Sequence, residues 1–155
     1  MKTRKGFRNA DSILIKESRL SRLLCIFTLL FVATNAVAAD LTVDVGNITS
    51  NRGNIVVTIY ATEEDFLEDG LVTMIQPASP GRMALVFEGL TPGDYTASAH
   101  HDEDGDGEMD YFFGLPQEPY GFSNDARVML APPKYEDAVF AVGADGATVV
   151  ANLVD

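Results

Sequence analysis

The chain is built of short alternating runs, and no apolar stripe of helical period is sustained along it. "LTVDVGNI" (41–48) sets Leu41, Val43 and Val45 against Thr42 and Asp44. "GNIVVTIYAT" (53–62), "RMALVFEGL" (82–90), "GDYTASAHHD" (93–102), "EDAVFAV" (136–142) and "ATVVANLVD" (147–155) continue the pattern. β-Branched and aromatic runs bounded by Gly, Pro, Asn and Asp read as strands. They predict an all-β fold, an antiparallel β-sandwich of about seven strands of Ig-like or transthyretin-like kind. Between them, "TEEDFLEDG" (62–70) reads as one helical turn capped by Thr62, with its acids where the helix dipole favours them. "IQPASPGR" (75–82) reads as a loop.

The front of the chain differs. Residues 1–22 carry seven Lys/Arg against Asp11 and Glu17, and a nearly unbroken apolar run from Leu23 to Val32 follows. Ala36-Val37-Ala38 has the small-x-small form of a cleavage site. A basic start, a short apolar run and such a site make a secretory signal peptide. We therefore expect residues 1–38 to be a signal peptide, cut after Ala38 or one residue later, and residues 39–155 to be a single domain. An uncleaved anchor is the rival, but the run is short for a span of ~20 residues. The expected destination is outside the cytoplasm, the periplasm or the medium, with no membrane attachment after cleavage.

Cys25 lies inside the apolar run behind Leu24, where a lipoprotein signal would have a small residue, so it reads as an apolar filler. The domain then has no disulfide and rests on its core, or on a core plus a metal. The 11 basic and 23 acidic residues of the chain lose seven and two with residues 1–38, leaving four and 21, a net charge of −17. Such a surface excludes nucleic acid and anionic lipid as partners and suits cations.

The acids are concentrated in "HHDEDGDGEMDYFFG" (100–114). With Asp102 as position 1, Asp104 is position 3, Asp106 is 5, Gly107 is 6, Glu108 is 7 and Asp110 is 9. This is the first part of an EF-hand calcium loop. Alternate carboxylates on a curled backbone converge on one point, Gly107 permits the sharp turn, and the Glu108 carbonyl adds an oxygen. Hard oxygen donors in this number suit Ca²⁺ better than Zn²⁺. The metal ligands expected are thus Asp102, Asp104, Asp106, Glu108 and Asp110, around a structural Ca²⁺. Position 12 is Phe113 rather than the bidentate Glu, and strands flank the loop rather than helices, so affinity is expected near ~10⁻⁴–10⁻³ M. Asp94, Glu118 and Asp125 are candidates to complete the shell. The competing reading is a solvated acidic turn.

His100 and His101 point to opposite faces of a strand and cannot readily share one ion. His101 falls on the face of Tyr95, Ala97 and Ala99, where a buried imidazole bonded to a backbone carbonyl is expected. No Ser-His-Asp pattern is visible, and Ser123 lacks a nucleophile elbow. Catalytic residues are therefore not assigned. The alternatives to a non-enzymatic module are a metal-dependent hydrolase using His100 or Glu118, and an accessory module binding carbohydrate or peptide. The latter needs Tyr111, Phe112, Tyr120 and Phe122 exposed, to meet a protein or glycan partner in the envelope.

Two resemblances follow from longer motifs. Leu90, Pro92, Gly93 and Tyr95 form an L-x-P-G-x-Y turn that resembles the one in transthyretin-like and carboxypeptidase-regulatory-like sandwiches. The block from Leu90 through His101-Asp102-Glu103-Asp104-Gly105-Asp106-Gly107 and Asp110 runs on to Gly114, Pro116, Glu118, Tyr120, Gly121, Phe122, Ser123 and Asn124. It resembles the central block of domain-of-unknown-function family 2141, small secreted bacterial proteins. That resemblance covers nearly all of 39–155. It implies a secreted or envelope β-sandwich, and no activity is established for the family. Asp104 and Asp106 stand where the family commonly has Asn, which makes this loop more anionic.

Overall fold

The computed structural model describes residues 38–126 and 131–155. The expected signal segment therefore lies outside the described residues except for Ala38, and Arg127 does too. Among the described residues no helix is long and apolar enough to cross a membrane.

Among the described residues ten strands form, in chain order β1 (Ala39–Ile48), β2 (Asn54–Tyr60), β3 (Val72–Pro77), β4 (Gly81–Leu90), β5 (Gly93–Asp102), β6 (Tyr111–Phe112), β7 (Leu115–Pro116), β8 (Tyr120–Phe122), β9 (Phe140–Val142) and β10 (Ala147–Asn152). One sheet has the order β10-β1-β4. The other runs β3-β2-β5-β8, with β9 pairing on β5 as well. The all-β sandwich-like fold expected from the alternation is what forms. One pairing departs from a purely antiparallel plan: β10 lies parallel to β1, Leu41 opposite Ala147 through Gly46 opposite Asn152.

The core is the period-two face of these strands. Leu41, Val43 and Val45 of β1, Ile55, Val57 and Ile59 of β2, Leu85 of β4 and Ala97 of β5 are fully buried. Each large aliphatic side chain taken from water contributes about 1.5–3 kcal/mol. At the start of β5 the Tyr95 hydroxyl donates to the Thr91 carbonyl at 2.7 Å, pinning the Pro92-Gly93 turn. This is the physical content of the L-x-P-G-x-Y pattern.

Three local readings are corrected. Residues 75–82 are not a loop, because Ile75–Pro77 end β3 and Gly81 opens β4. β3 is an edge strand exposed along almost its whole length, so it carries no buried alternation, and its proline falls at the last position, where an edge tolerates it. Residues 62–70 make turns rather than a helix. Thr62 does accept the Asp65 N–H at 3.2 Å, but Leu67 adopts φ +65°, which breaks the helical path. Residues 136–142 are part helix: a single turn, α1 (Tyr135–Ala138), precedes β9.

Ser123 explains how β5 serves two partners. β8 pairs with β5 at Ser98–His100 and β9 pairs at Gly93–Tyr95. The Ala97 N–H falls in the gap between them. The fully buried Ser123 hydroxyl accepts that N–H at 3.0 Å and donates to the Ala138 carbonyl at 2.6 Å. The sheet's outer face is closed in turn by aromatic rings, with Phe66 edge-on against Tyr60, Phe122 and Tyr135.

Candidate metal site

β5 ends on Asp102, and the acidic loop grows from that end. Asp102 is 0 % exposed although it is a carboxylate. Its Oδ1 accepts the Gly105 N–H at 2.7 Å and its Oδ2 the Gly107 N–H at 3.0 Å. Both glycines sit at φ +85°, a conformation that costs them little and a side-chain-bearing residue more. Asp104 Oδ1 accepts the Asp106 N–H at 3.2 Å, and Asp106 Oδ1 accepts the Glu108 N–H at 2.8 Å. Each oxygen that takes one N–H keeps a second acceptor direction.

The curl brings Asp102, Asp104 and Asp106 together, with one carboxylate oxygen of each within 4.8 Å of the others. Oxygens that share a Ca²⁺ at 2.3–2.6 Å stand no more than about 5 Å apart, so this trio fits that ion. The carboxylates of Glu108 and Asp110 are not in the trio and are exposed.

Glu118 is the candidate that the fold delivers to the loop. It is buried, and its carboxylate accepts the Glu103 N–H at 2.8 Å and the Asp110 N–H at 3.4 Å. It thereby ties the loop's first and last residues together. Backbone bonds from His101 N–H to the Pro119 carbonyl and from Gln117 N–H to the Asp110 carbonyl, both 2.8 Å, close the same neck. Asp94 and Asp125 do not reach it. Asp94 lies at the opposite end of β5, and Asp125 accepts both the backbone and side-chain N–H groups of Asn152, each at 2.9 Å.

The loop's electrostatics are those of crowded carboxylates. Burial pushes Asp102 up, but the Gly105 and Gly107 N–H groups and the Asn54 amide outweigh it, and the carboxyl titrates below the usual range. Glu118 goes the other way. Burial raises it, two N–H groups oppose the rise, and the charges of Asp102 and Asp110 add to it. Among the described residues one ion pair touches the loop, Arg52 to Glu103 at 3.5 Å, and Arg52 is largely exposed. Such a pair is worth about 0–1 kcal/mol.

The histidines separate as strand geometry requires. His101 is fully buried, and its Nε2 donates to the Arg52 carbonyl at 2.8 Å, which leaves Nδ1 as the bare nitrogen. His100 lines a cavity on the outer face of the sheet. Burial there lowers its pKa against the pull of Asp102 and Asp106.

Beyond the loop, β6 and β7 form a two-residue hairpin with Phe113 at φ +50° and Gly114 at φ +78°, the left-handed pair that such tight turns require. Tyr111 is 64 % and Phe113 92 % exposed, and Phe112 and Leu115 are exposed with them. Phe122 is buried and Tyr120 half-buried, so the four rings named for a binding platform are split between two environments.

Fold and loop together define a class: a small all-β sandwich with an aspartate–glycine loop at the end of its central strand. The chain belongs to the family described as uncharacterized protein conserved in bacteria (DUF2141), whose model matches residues 43–150. No curated protein and no solved structure matches it.

Proposed function

We propose that this is an exported, non-enzymatic β-sandwich module whose 102–110 loop holds a structural calcium ion. The observation that carries the reading is the buried, backbone-anchored Asp102 with the Asp104 and Asp106 carboxylates gathered beside it. Those three residues would hold the ion, the Glu108 carbonyl and Asp110 adding oxygens. The ion would supply positive charge and no chemistry. Glu118 is not gathered with those three carboxylates, and through the Glu103 and Asp110 N–H groups its part is to hold the neck closed. The work of the site is then to fix the hairpin that follows it. Calcium at 10 mM is expected to raise Tm by about 5–10 °C. Mg²⁺, which needs near-ideal octahedral geometry, is expected to do much less. A Tm indifferent to both calcium and chelator sinks the proposal.

Export rests on the basic-apolar-small pattern of residues 1–38. N-terminal sequencing of protein recovered from a bacterial periplasm is expected to begin at Ala39 or Asp40. An intact Met1 terminus would favour the anchor.

The exposed Tyr111, Phe112, Phe113 and Leu115 favour one second reading, a partner-binding module that uses the hairpin tip. Phe112 and Phe113 stack edge-on at 79°, so the tip is a wedge for a protein groove rather than a flat bed for a sugar ring. The hydrolase alternative has less support. Glu118 does not line the cavity of His100, and among the described residues Ser98 bonds to Tyr60 and not to His100.

A further inference from the structure

The outer face of the β2-β5-β8 sheet carries a cavity of about 280 Å³ that no carboxylate among the described residues lines. Tyr60 from β2, His100 from β5 and Tyr120 and Phe122 from β8 line it, and the β6–β7 hairpin contributes Tyr111 from above. Four aromatic rings thus converge on one small space. Tyr60 and Phe122 are buried, and Tyr120 meets Phe122 edge-on at 6.1 Å, so three walls are held by packing. Tyr111 is exposed and set by the hairpin.

The faces of aromatic rings attract cations, most strongly where water is displaced. The surrounding charge points the same way, since residues 39–155 carry −17. An anion is repelled from such a place and a cation is drawn to it. A bare metal ion gains little from rings alone, whereas a methylated ammonium group buries its methyls against them. The volume lies at the lower end of small-molecule sites and suits a single compact headgroup.

We propose that this cavity binds a small organic cation of the quaternary ammonium class, held by cation–π contact with Tyr60, Tyr111, Tyr120 and Phe122. The proposal does not depend on the calcium reading, since no loop aspartate lines the cavity.

The test uses two probes of one shape, choline and its uncharged carbon analogue 3,3-dimethyl-1-butanol, titrated into ¹⁵N-labelled protein. Choline is expected to shift the amides of Ser98, His100 and Tyr120 saturably. The neutral analogue should bind about tenfold more weakly, and Tyr111→Leu should weaken choline by about fivefold, in line with cation–π energies. Tyr111 is exposed, so its replacement leaves the fold in place. Tyr120→Leu is the second variant, with its own spectrum as the folding control. Equal binding of the two probes would overturn the proposal. So would shifts confined to residues 102–110, which mark a counter-ion of the acidic loop, or no shift at 50 mM choline, a concentration of order far above a useful Kd.

Discussion

Replacing Asp102 with alanine is expected to cost about 3 kcal/mol and to remove every response to calcium. The carboxylate is fully buried and accepts two backbone N–H groups, from Gly105 and Gly107. Hydrogen bonds to a charged group are each worth about 1.5–3 kcal/mol, and the two glycines are exposed enough for water to recover part of the loss. The same contribution is sensitive to acid, and its sign is fixed by the depressed pKa of the folded state. The unfolded carboxyl titrates near ~3.9. Above that value the stabilisation is fully present, and it is lost as pH falls through the lower folded value. Urea melts at pH 7 and pH 3 check this. Asp102→Ala should lower stability more at pH 7 than at pH 3, and an equal loss at both would contradict the charge argument.

The second large effect is expected from a residue with no ligand to offer. Gly53 sits at φ +60° in the turn before β2, and a Cβ there would run into the Asp102 carbonyl oxygen. Gly53→Ala therefore meets two costs, left-handed backbone strain and overpacking, together about 3 kcal/mol. It also displaces the peptide on which the loop begins. Calcium is expected to bind this variant several-fold more weakly although all five expected ligands are intact. Tm with and without calcium measures both effects. A variant as stable as the parent would mean that the turn and the loop are not packed as described.

Much of the sandwich was legible in the sequence because β1, β4 and β10 bury mainly one face, which writes itself as alternation, and β2, buried on both faces, reads as a run of Ile, Val and Tyr. β3 was not legible, since an exposed edge strand has no face to hide. β6, β7 and β8 were not legible either, being two or three residues long and defined by what they pair with. In the loop, the spacing of Asp102, Asp104 and Asp106 with Gly107 was readable because the backbone curl is local. The role of Glu118 was not, because it depends on the hairpin folding back to bring that carboxylate to the Glu103 and Asp110 amides. The one available cue was its place beside Pro119, whose carbonyl pairs with His101. The aromatic cavity was hidden for the same reason: Tyr60, Tyr111 and Tyr120 lie on three separate segments.

Calcium binding by residues 39–155, measured by titration calorimetry, is the most direct test of the structural-ion proposal. One site per chain is expected, with Kd about 10⁻⁴–10⁻³ M, and its heat should vanish when Asp102→Asn and Asp106→Asn are combined. No saturable heat up to 20 mM calcium, a level of order tenfold or more above that Kd, would contradict it. So would a site that survives the double substitution.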